Sequence, residues 1–179
     1  MSQFSPHFCR GLIPVAFVFS APGEVETRAG KPVAGDTGTN LESALILLHA
    51  AQPAQFPSPH RCDYRITNAY PEPIADVPGH RGSEAHDTEV REPDNVERVL
   101  RELEGCNLVV LGGNKAGVLE QAIRGSGKQV VSVPHVGNKA LNGKFKVPDR
   151  LKLTSPFARR QHRIQLWANA VLQGIRGEG

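Results

Sequence analysis

Residues 14–23 of the chain read Pro-Val-Ala-Phe-Val-Phe-Ser-Ala-Pro-Gly. The first six are mostly apolar and the last four are typical of a turn, so the stretch predicts a buried strand that leaves its sheet sharply after Phe19. A strand without polar alternation is typical of a parallel sheet that is covered on both faces. This stretch therefore favours the α/β class.

The rest of the chain continues the alternation of strands and helices. Further strands are predicted at residues 64–68, 107–111 and 129–133, and helices at about residues 40–50, between Asp94 and Gly105, and at about residues 114–123 and 158–175. Thr39 or Asn40 would cap the first of these helices. Alternating elements imply right-handed crossovers. We expect one domain over residues 1–179, a three-layer α/β/α fold with a central four-stranded parallel sheet.

One segment shows neither the helical nor the strand periodicity of apolar residues. Residues 71–93 are polar and rich in Pro, Gly and charged side chains. This composition predicts a long surface loop, a kind of segment that often carries function.

The cysteines and the first residues narrow the class of protein. Cys9, Cys62 and Cys106 are odd in number and contain no Cys-x-x-Cys pair, which argues against a disulfide framework and against a zinc or iron–sulfur site. We expect reduced thiols, no metal and no cofactor. The first residues have neither an export signal nor a stretch that could span a bilayer, so we expect a cytoplasmic protein with no membrane partner.

Positive charge is concentrated near the C-terminal end. The net charge is only +3, yet residues 144–163 hold seven Lys and Arg against the single acid Asp149. Clustered cations can neutralise nucleic-acid phosphates. On charge alone, a solvated helix face is the better interpretation.

Several motifs carry a resemblance to a known family. Residues 20–38 resemble the first motif of the uracil-DNA glycosylase superfamily, closest to its fourth and fifth families. Within this motif, Arg28, Gly30, Lys31 and Gly35 fit the family spacing R-x-G-[RK]-x-x-x-G.

Three further blocks follow in the family order. Residues 66–68 resemble the block that supplies a base-reading asparagine, residues 111–116 a structural block, and residues 133–138 the block that supplies a histidine and a DNA-inserting loop. The resemblance implies a DNA glycosylase, which flips a base out of DNA and hydrolyses its N-glycosidic bond to leave an abasic site.

This reaction needs an anionic group, because positive charge develops on the sugar while the base departs with negative charge. Asp36 matches a Gly-Asp pair of the fifth family, and the resemblance assigns it water orientation and stabilisation of the sugar cation. The alternative is that Asp36 only caps the following helix. Phe19 and Ser20 stand where most members have glycine and a polar or acidic residue, so Glu24 and Glu26 are reserve candidates.

Two more polar residues follow predicted strands, at the edge where parallel sheets bind ligands. Asn68 offers a donor and an acceptor to a pyrimidine edge, unless it only satisfies a turn. His135 would donate to the base oxygen as charge develops there, unless it is simply an exposed loop residue. The turn formed by Ser20, Ala21, Pro22 and Gly23 would contact the base.

Two departures from the family bear on cofactor and substrate. The four cysteines that hold an iron–sulfur cluster in the fourth and fifth families are absent. Val33 replaces the aromatic residue that stacks on the flipped uracil, which removes about 1–3 kcal/mol of stacking and opens space. We expect a bulky modified pyrimidine as the substrate, such as the glucosylated hydroxymethylcytosine of some phage genomes, in antiphage defence.

Other functions remain open at this point. Ordinary uracil repair requires only that another side chain fill the space beside Val33. A catalytically inactive DNA-binding or sensor protein is the alternative of a different class, because Phe19 and Ser20 occupy the usual place of the chemistry. A nucleotide hydrolase is disfavoured because the chain has no P-loop.

DNA is the expected partner, and the protein is expected to act as a monomer with no obligate protein partner. Residues 138–146 would form the loop that presses into the duplex, with Leu141 or Phe145 as the wedge, unless these side chains pack onto their own domain. The residues expected to contact DNA are Asn138, Lys139, Leu141, Lys144, Lys146, Arg159 and Arg160.

Overall fold

The computed structural model describes residues 4–74 and 84–177, which form a six-stranded sheet in the order β1-β2-β4-β3-β5-β6 with helices on both faces. The strands are β1 Phe4–Ser5, β2 Phe8–Arg10, β3 Ile13–Phe19, β4 Tyr64–Asn68, β5 Leu108–Gly112 and β6 Gln129–Val133. The helices are α1 Glu24–Ala29, α2 Asp36–Ala51, α3 Asp87–Val90, α4 Pro93–Glu102, α5 Asn114–Gly117, α6 Glu120–Gly125, α7 Asn138–Lys144, α8 Asp149–Lys152 and α9 Pro156–Arg176, with a short 3₁₀ turn at Arg61–Asp63.

The four predicted strands are present and mutually parallel, but the expectation of a four-stranded sheet was wrong. Two short strands, β1 and β2, extend the sheet in antiparallel pairing beyond β4. In this pairing Phe8 lies opposite Thr67 and Cys9 lies opposite Ile66. The added strands cover the β4 edge, which would otherwise present unpaired backbone groups to solvent.

The central strand β3 separates two apolar cores. Val15, Phe17 and Phe19 pack on one face with α2 and α9, whereas Ala16 and Val18 pack on the other face with α4 and α6. Because successive side chains of a strand point to opposite faces, a continuously apolar strand requires helices on both. The expected order of helix, sheet and helix is therefore confirmed.

Several helix bounds differ from the expectations. Helix α2 begins at Asp36 after the N-cap Gly35, so neither Thr39 nor Asn40 is its cap. Helix α9 begins at Pro156, and the Ser155 hydroxyl caps it by accepting from the amide of Ala158 at 3.2 Å. The helix predicted at residues 114–123 consists of two short helices, α5 and α6.

The described part of the 71–93 segment is not simply a surface loop. Residues 75–83 lie outside the described residues, but the remainder contains α3 and the first residue of α4. Ile74, Ala85 and Val90 are buried in the core shared with α4. The residues that precede and follow 75–83 are therefore both held on the sheet by apolar packing.

The cysteines are free, with Cys9 and Cys106 buried and Cys62 exposed. Burial raises the pKa of the Cys9 thiol to about 11, so this thiol stays protonated at neutral pH. Among the described helices, none combines the length and the hydropathy needed to cross a bilayer.

Candidate functional site

A cavity of about 840 Å³ opens beyond the carboxyl ends of the parallel strands. Ser20 follows β3, Asn68 ends β4, and His135 lies two residues beyond β6, and all three line this cavity. Ligands of parallel α/β sheets bind at this edge. The three segments that the sequence predicted to converge at this edge therefore do surround one cavity.

The turn after β3 forms one wall of the cavity. Ser20, Ala21 and Gly23 line it, while Pro22 is buried next to them. The carbonyl groups of Phe19 and Ser20 accept backbone hydrogen bonds from residues 69 and 70 at 2.7 and 3.0 Å, which fixes the turn against β4. The buried Ser20 Oγ has no hydrogen-bond partner within the described residues, so it is suited to bond a ligand in the cavity.

His135 lines the cavity as a neutral ring with a defined tautomer. Its Nδ1 accepts a hydrogen bond from the Gly137 amide at 2.9 Å, which places the ring proton on Nε2. The ring stands edge-on to Phe19 with centroids 5.2 Å apart. Burial lowers the pKa of His135, although the Glu26 carboxylate acts in the opposite direction. At neutral pH the ring is an uncharged donor.

Glu26 is the candidate acid that faces the cavity. It lies on α1, and its carboxylate accepts from the backbone amides of Gly23 at 3.1 Å, Ala34 at 3.0 Å and Gly35 at 3.4 Å. These donors hold the carboxylate in place. Glu24, the other reserve acid, is exposed and pairs with Arg28 instead.

Asp36, the first candidate from the sequence, does not line this cavity. It is the first residue of α2, and its Oδ2 accepts a hydrogen bond from Asn138 Nδ2 at 2.8 Å. The alternative that Asp36 caps the helix was wrong, because Gly35 occupies the N-cap. Asp36 therefore connects the start of α2 to the start of α7.

Val33 forms part of the cavity wall, as the sequence predicted. Its φ is +47°, and it is the one non-glycine residue among those described with a positive φ. This conformation is a true outlier for a β-branched residue. Its carbonyl lies so close to Gly38 that a Cβ there would approach the oxygen to 1.8 Å, so only glycine fits at position 38.

Asn68 is buried at the end of β4 and lines the cavity. Its carbonyl accepts from Arg98 Nη2 at 2.9 Å. Arg98 is itself paired with Glu102 at 2.6 Å, and Glu102 also bonds His7 Nε2 at 3.1 Å and the hydroxyl of Thr67. This network, the Glu102 cluster, supports the strand end that presents Asn68.

A second buried amide holds the segment after His135. Asn40 Nδ2 donates to the carbonyl of Val136 at 2.8 Å and to Asn138 Oδ1 at 3.0 Å. Its Oδ1 accepts from Arg160 Nε at 2.7 Å. Arg160, which was expected to bind DNA, therefore has a structural bond to a buried side chain.

The structure separates the residues that were expected to contact DNA. Asn138, Lys139 and Lys144 line the cavity, and Lys146 is exposed nearby in the chain. Arg159 lies further along, where its Nη1 donates to the carbonyls of residues 152 and 154.

The expectation that residues 138–146 form a loop with an apolar wedge was wrong. Residues 138–144 are not a loop but helix α7. Leu141 is only 1% exposed and packs in the core with α9, and Phe145 is half-buried against the same core. The packed alternative weighed for these two side chains is the one that the structure has.

A smaller chamber of about 140 Å³ adjoins the cavity. The two share Ser20, Glu84, His135, Ala140 and Lys144, and the chamber adds residues 112–115 and Pro134. Gly113 allows this close arrangement, because it has a φ of +101° and a Cβ there would lie 3.1 Å from the Cβ of His135. Sequence reasoning missed Glu84 and Thr37 as lining residues.

The part of the chain that the structure describes contains no candidate metal centre. Within residues 4–74 and 84–177, no three His, Cys, Asp or Glu side chains are grouped closely enough to hold a metal ion. No protein-family model matches the chain, and no curated protein matches it.

Proposed function

We propose that the protein is a monofunctional DNA glycosylase of the uracil-DNA glycosylase type, which flips a modified pyrimidine into the cavity and hydrolyses its N-glycosidic bond. One observation carries the proposal. A fixed carboxylate of Glu26, a neutral imidazole of His135 and the amide of Asn68 surround one cavity at the carboxyl ends of the strands. These are the groups that N-glycosidic hydrolysis requires.

The reaction proceeds as a displacement at the sugar. The oxygen of a water molecule forms the new bond to C1′, and the electrons of the C1′–N bond leave with the base. Glu26 stabilises the positive charge on the sugar and accepts the proton of the water. His135 Nε2–H donates to the base oxygen that becomes negative. Asn68 reads the edge of the base through its donor and acceptor.

This assignment moves the acid from Asp36 to Glu26. Glu26 lines the cavity and influences the pKa of His135, whereas Asp36 is bonded to Asn138 and lies off the lining. Asp36 then acts indirectly, by holding the helix that carries Lys139 and Lys144.

The cavity also supports a large substrate base. Val33 provides no stacking ring, and the second chamber extends the cavity past His135. Glu84, Asn114 and Lys115 in the chamber wall are donors and acceptors for hydroxyl groups. A glucosylated hydroxymethylcytosine has such hydroxyl groups, and its removal from phage DNA would serve antiphage defence. Uracil repair is the alternative with the same chemistry.

DNA is the proposed partner, bound by a monomer in the cytoplasm. Lys139 and Lys144 are exposed at the cavity and are placed to contact phosphates beside the flipped nucleotide. The affinity for DNA should therefore fall as salt is raised.

The test uses three duplexes of one sequence, with uracil, plain cytosine or glucosylated hydroxymethylcytosine at one position, and scores alkali-labile breaks. Release from the modified duplex alone is expected. Release from uracil alone would establish the repair alternative. If no base is released although the protein binds the duplexes, the glycosylase proposal is overturned in favour of a DNA-binding protein.

A further inference from the structure

The turn between α8 and α9 exposes two large apolar side chains. Leu153 is 99% exposed and Phe157 is 68% exposed. Single exposed apolar residues are ordinary, but here one lies in the turn and the other, four positions on, is the second residue of α9. The sequence assigned no role to either residue.

This turn is held in a fixed shape by its neighbours. Arg159 Nη1 donates to the carbonyl of Lys152 at 3.1 Å and to the carbonyl of Thr154, so the carbonyl groups of the residues on either side of Leu153 are anchored. The Thr154 hydroxyl donates to the carbonyl of Leu151 at 2.6 Å. A side chain presented by an anchored turn loses less freedom when it binds.

The surroundings of this turn are positively charged. The exposed cations Lys146, Arg150 and Lys152 precede it, and the single acid there, Asp149, pairs with Lys152 at 2.6 Å. An apolar pair within a cationic surface complements a polyanion that also offers apolar faces, and duplex DNA has both in its phosphates and its bases.

The turn is bonded to the same helix as the segment that follows α7. Helix α9 holds both neighbouring segments, because Arg163 Nε donates to the carbonyl of Phe145 at 3.1 Å while Arg159 holds residues 152 and 154. Residues 159 and 163 are one helical turn apart, a rise of about 6 Å. The end of α7, where Lys144 lines the cavity, and the turn that presents Leu153 are therefore bonded to consecutive turns of α9.

We propose that Leu153 and Phe157 insert into the duplex beside the extruded nucleotide and occupy the space in the base stack that it leaves. The inference rests on the proposed function, and it gives Leu153 and Phe157 the role that the sequence assigned to Leu141 or Phe145. An inserted apolar group stabilises the unstacked duplex, in which the base is available to the cavity.

The test compares the wild type with the double variant Leu153→Ala/Phe157→Ala. Leu12→Ala is the matched control, because Leu12 is 91% exposed but precedes β3 at the opposite end of the strands. Excision is measured on a duplex and on the single strand of the same sequence. We expect the double variant to lose about tenfold or more on the duplex, and little on the single strand, while Leu12→Ala behaves as the wild type.

A second readout separates this inference from the proposed function. A duplex with 2-aminopurine next to a stable abasic analogue fluoresces more strongly when the stack is broken. The wild type and Leu12→Ala should raise the fluorescence and the double variant should not, whether or not any base is excised. Equal fluorescence for the wild type and the double variant, or no rise with either, overturns the inference even if excision is found. Loss of anionic-vesicle binding with unchanged DNA affinity would assign the pair to a lipid surface and also overturns it.

Discussion

The indole Nε1–H of Trp167 donates a 2.7 Å hydrogen bond to the carbonyl of Pro134, the residue before His135. Trp167 is fully buried on α9. Trp167→Phe keeps the apolar contact but leaves this carbonyl unpaired, so we expect the free energy of unfolding to fall by about 1–3 kcal/mol and excision to fall with it. Urea unfolding followed by circular dichroism measures the change, with exposed Gln165→Ala as the control. Unaltered stability in Trp167→Phe would contradict the assigned role of this bond.

Glu26→Gln removes the negative charge at the cavity while preserving the size of the side chain. We expect excision to fall by about 10²-fold or more, with duplex affinity nearly unchanged. Glu24→Gln is the matched control, because Glu24 lies on the same helix but is exposed and paired with Arg28. Asp36→Asn should have the smaller effect, since an amide oxygen can still accept from Asn138. The reverse order of effects would return the catalytic role to Asp36.

His135 predicts a dependence of stability on pH. Burial places the pKa of this imidazole below its ordinary value of 6.5. As the pH falls below about 6.5, the unfolded chain takes up the proton before the folded protein does, so stability falls. His135→Gln lacks this proton and should lose less stability than the wild type between about pH 7.5 and pH 5.5. Parallel losses in urea unfolding for the two proteins would argue against a neutral buried ring.

The Glu102 cluster predicts a linkage of the same sign at lower pH. Burial opposes ionisation, yet the hydrogen bond from His7 and the charge of Arg98 hold the pKa of Glu102 below its ordinary value of 4.5. The stabilisation is therefore present above pH 4.5 and is lost as the pH falls through the lower pKa of the folded state. Glu102→Gln should be less stable than the wild type at pH 7, and the difference should shrink below pH 4.5. Glu97→Gln, whose pair with Arg101 is exposed, should change little at either pH.

The sequence predicted the parallel part of the sheet because the central strands β3 and β5 are apolar on both faces and strands alternate with helices along the chain. The two antiparallel strands β1 and β2 have only two and three residues. They are too short to show an alternation of polar and apolar residues. The cavity was predicted from the ends of strands: Asn68 is the last residue of β4, and Ser20 and His135 lie one and two residues beyond β3 and β6.

The sequence could not distinguish between similar residues within one segment. Glu24 and Glu26 are two positions apart, and the donors that fix Glu26 include the amides of Ala34 and Gly35, whose approach depends on a turn with no sequence period. Leu141 and Leu153 lie in similar polar surroundings along the chain. Leu141 is buried because α7 packs it in the core with α9, whereas Leu153 lies in the turn before α9 and is exposed.

Val33 shapes the cavity from a backbone conformation that a β-branched residue adopts at a cost of about 1–3 kcal/mol. Glycine would relieve this strain and would also remove the side chain from the wall. Val33 is only 6% exposed and packs in the apolar core, so glycine would also forfeit about 1.5–3 kcal/mol of apolar burial. In a directed-evolution experiment, discrimination between bases is expected to be the first property lost when this position changes.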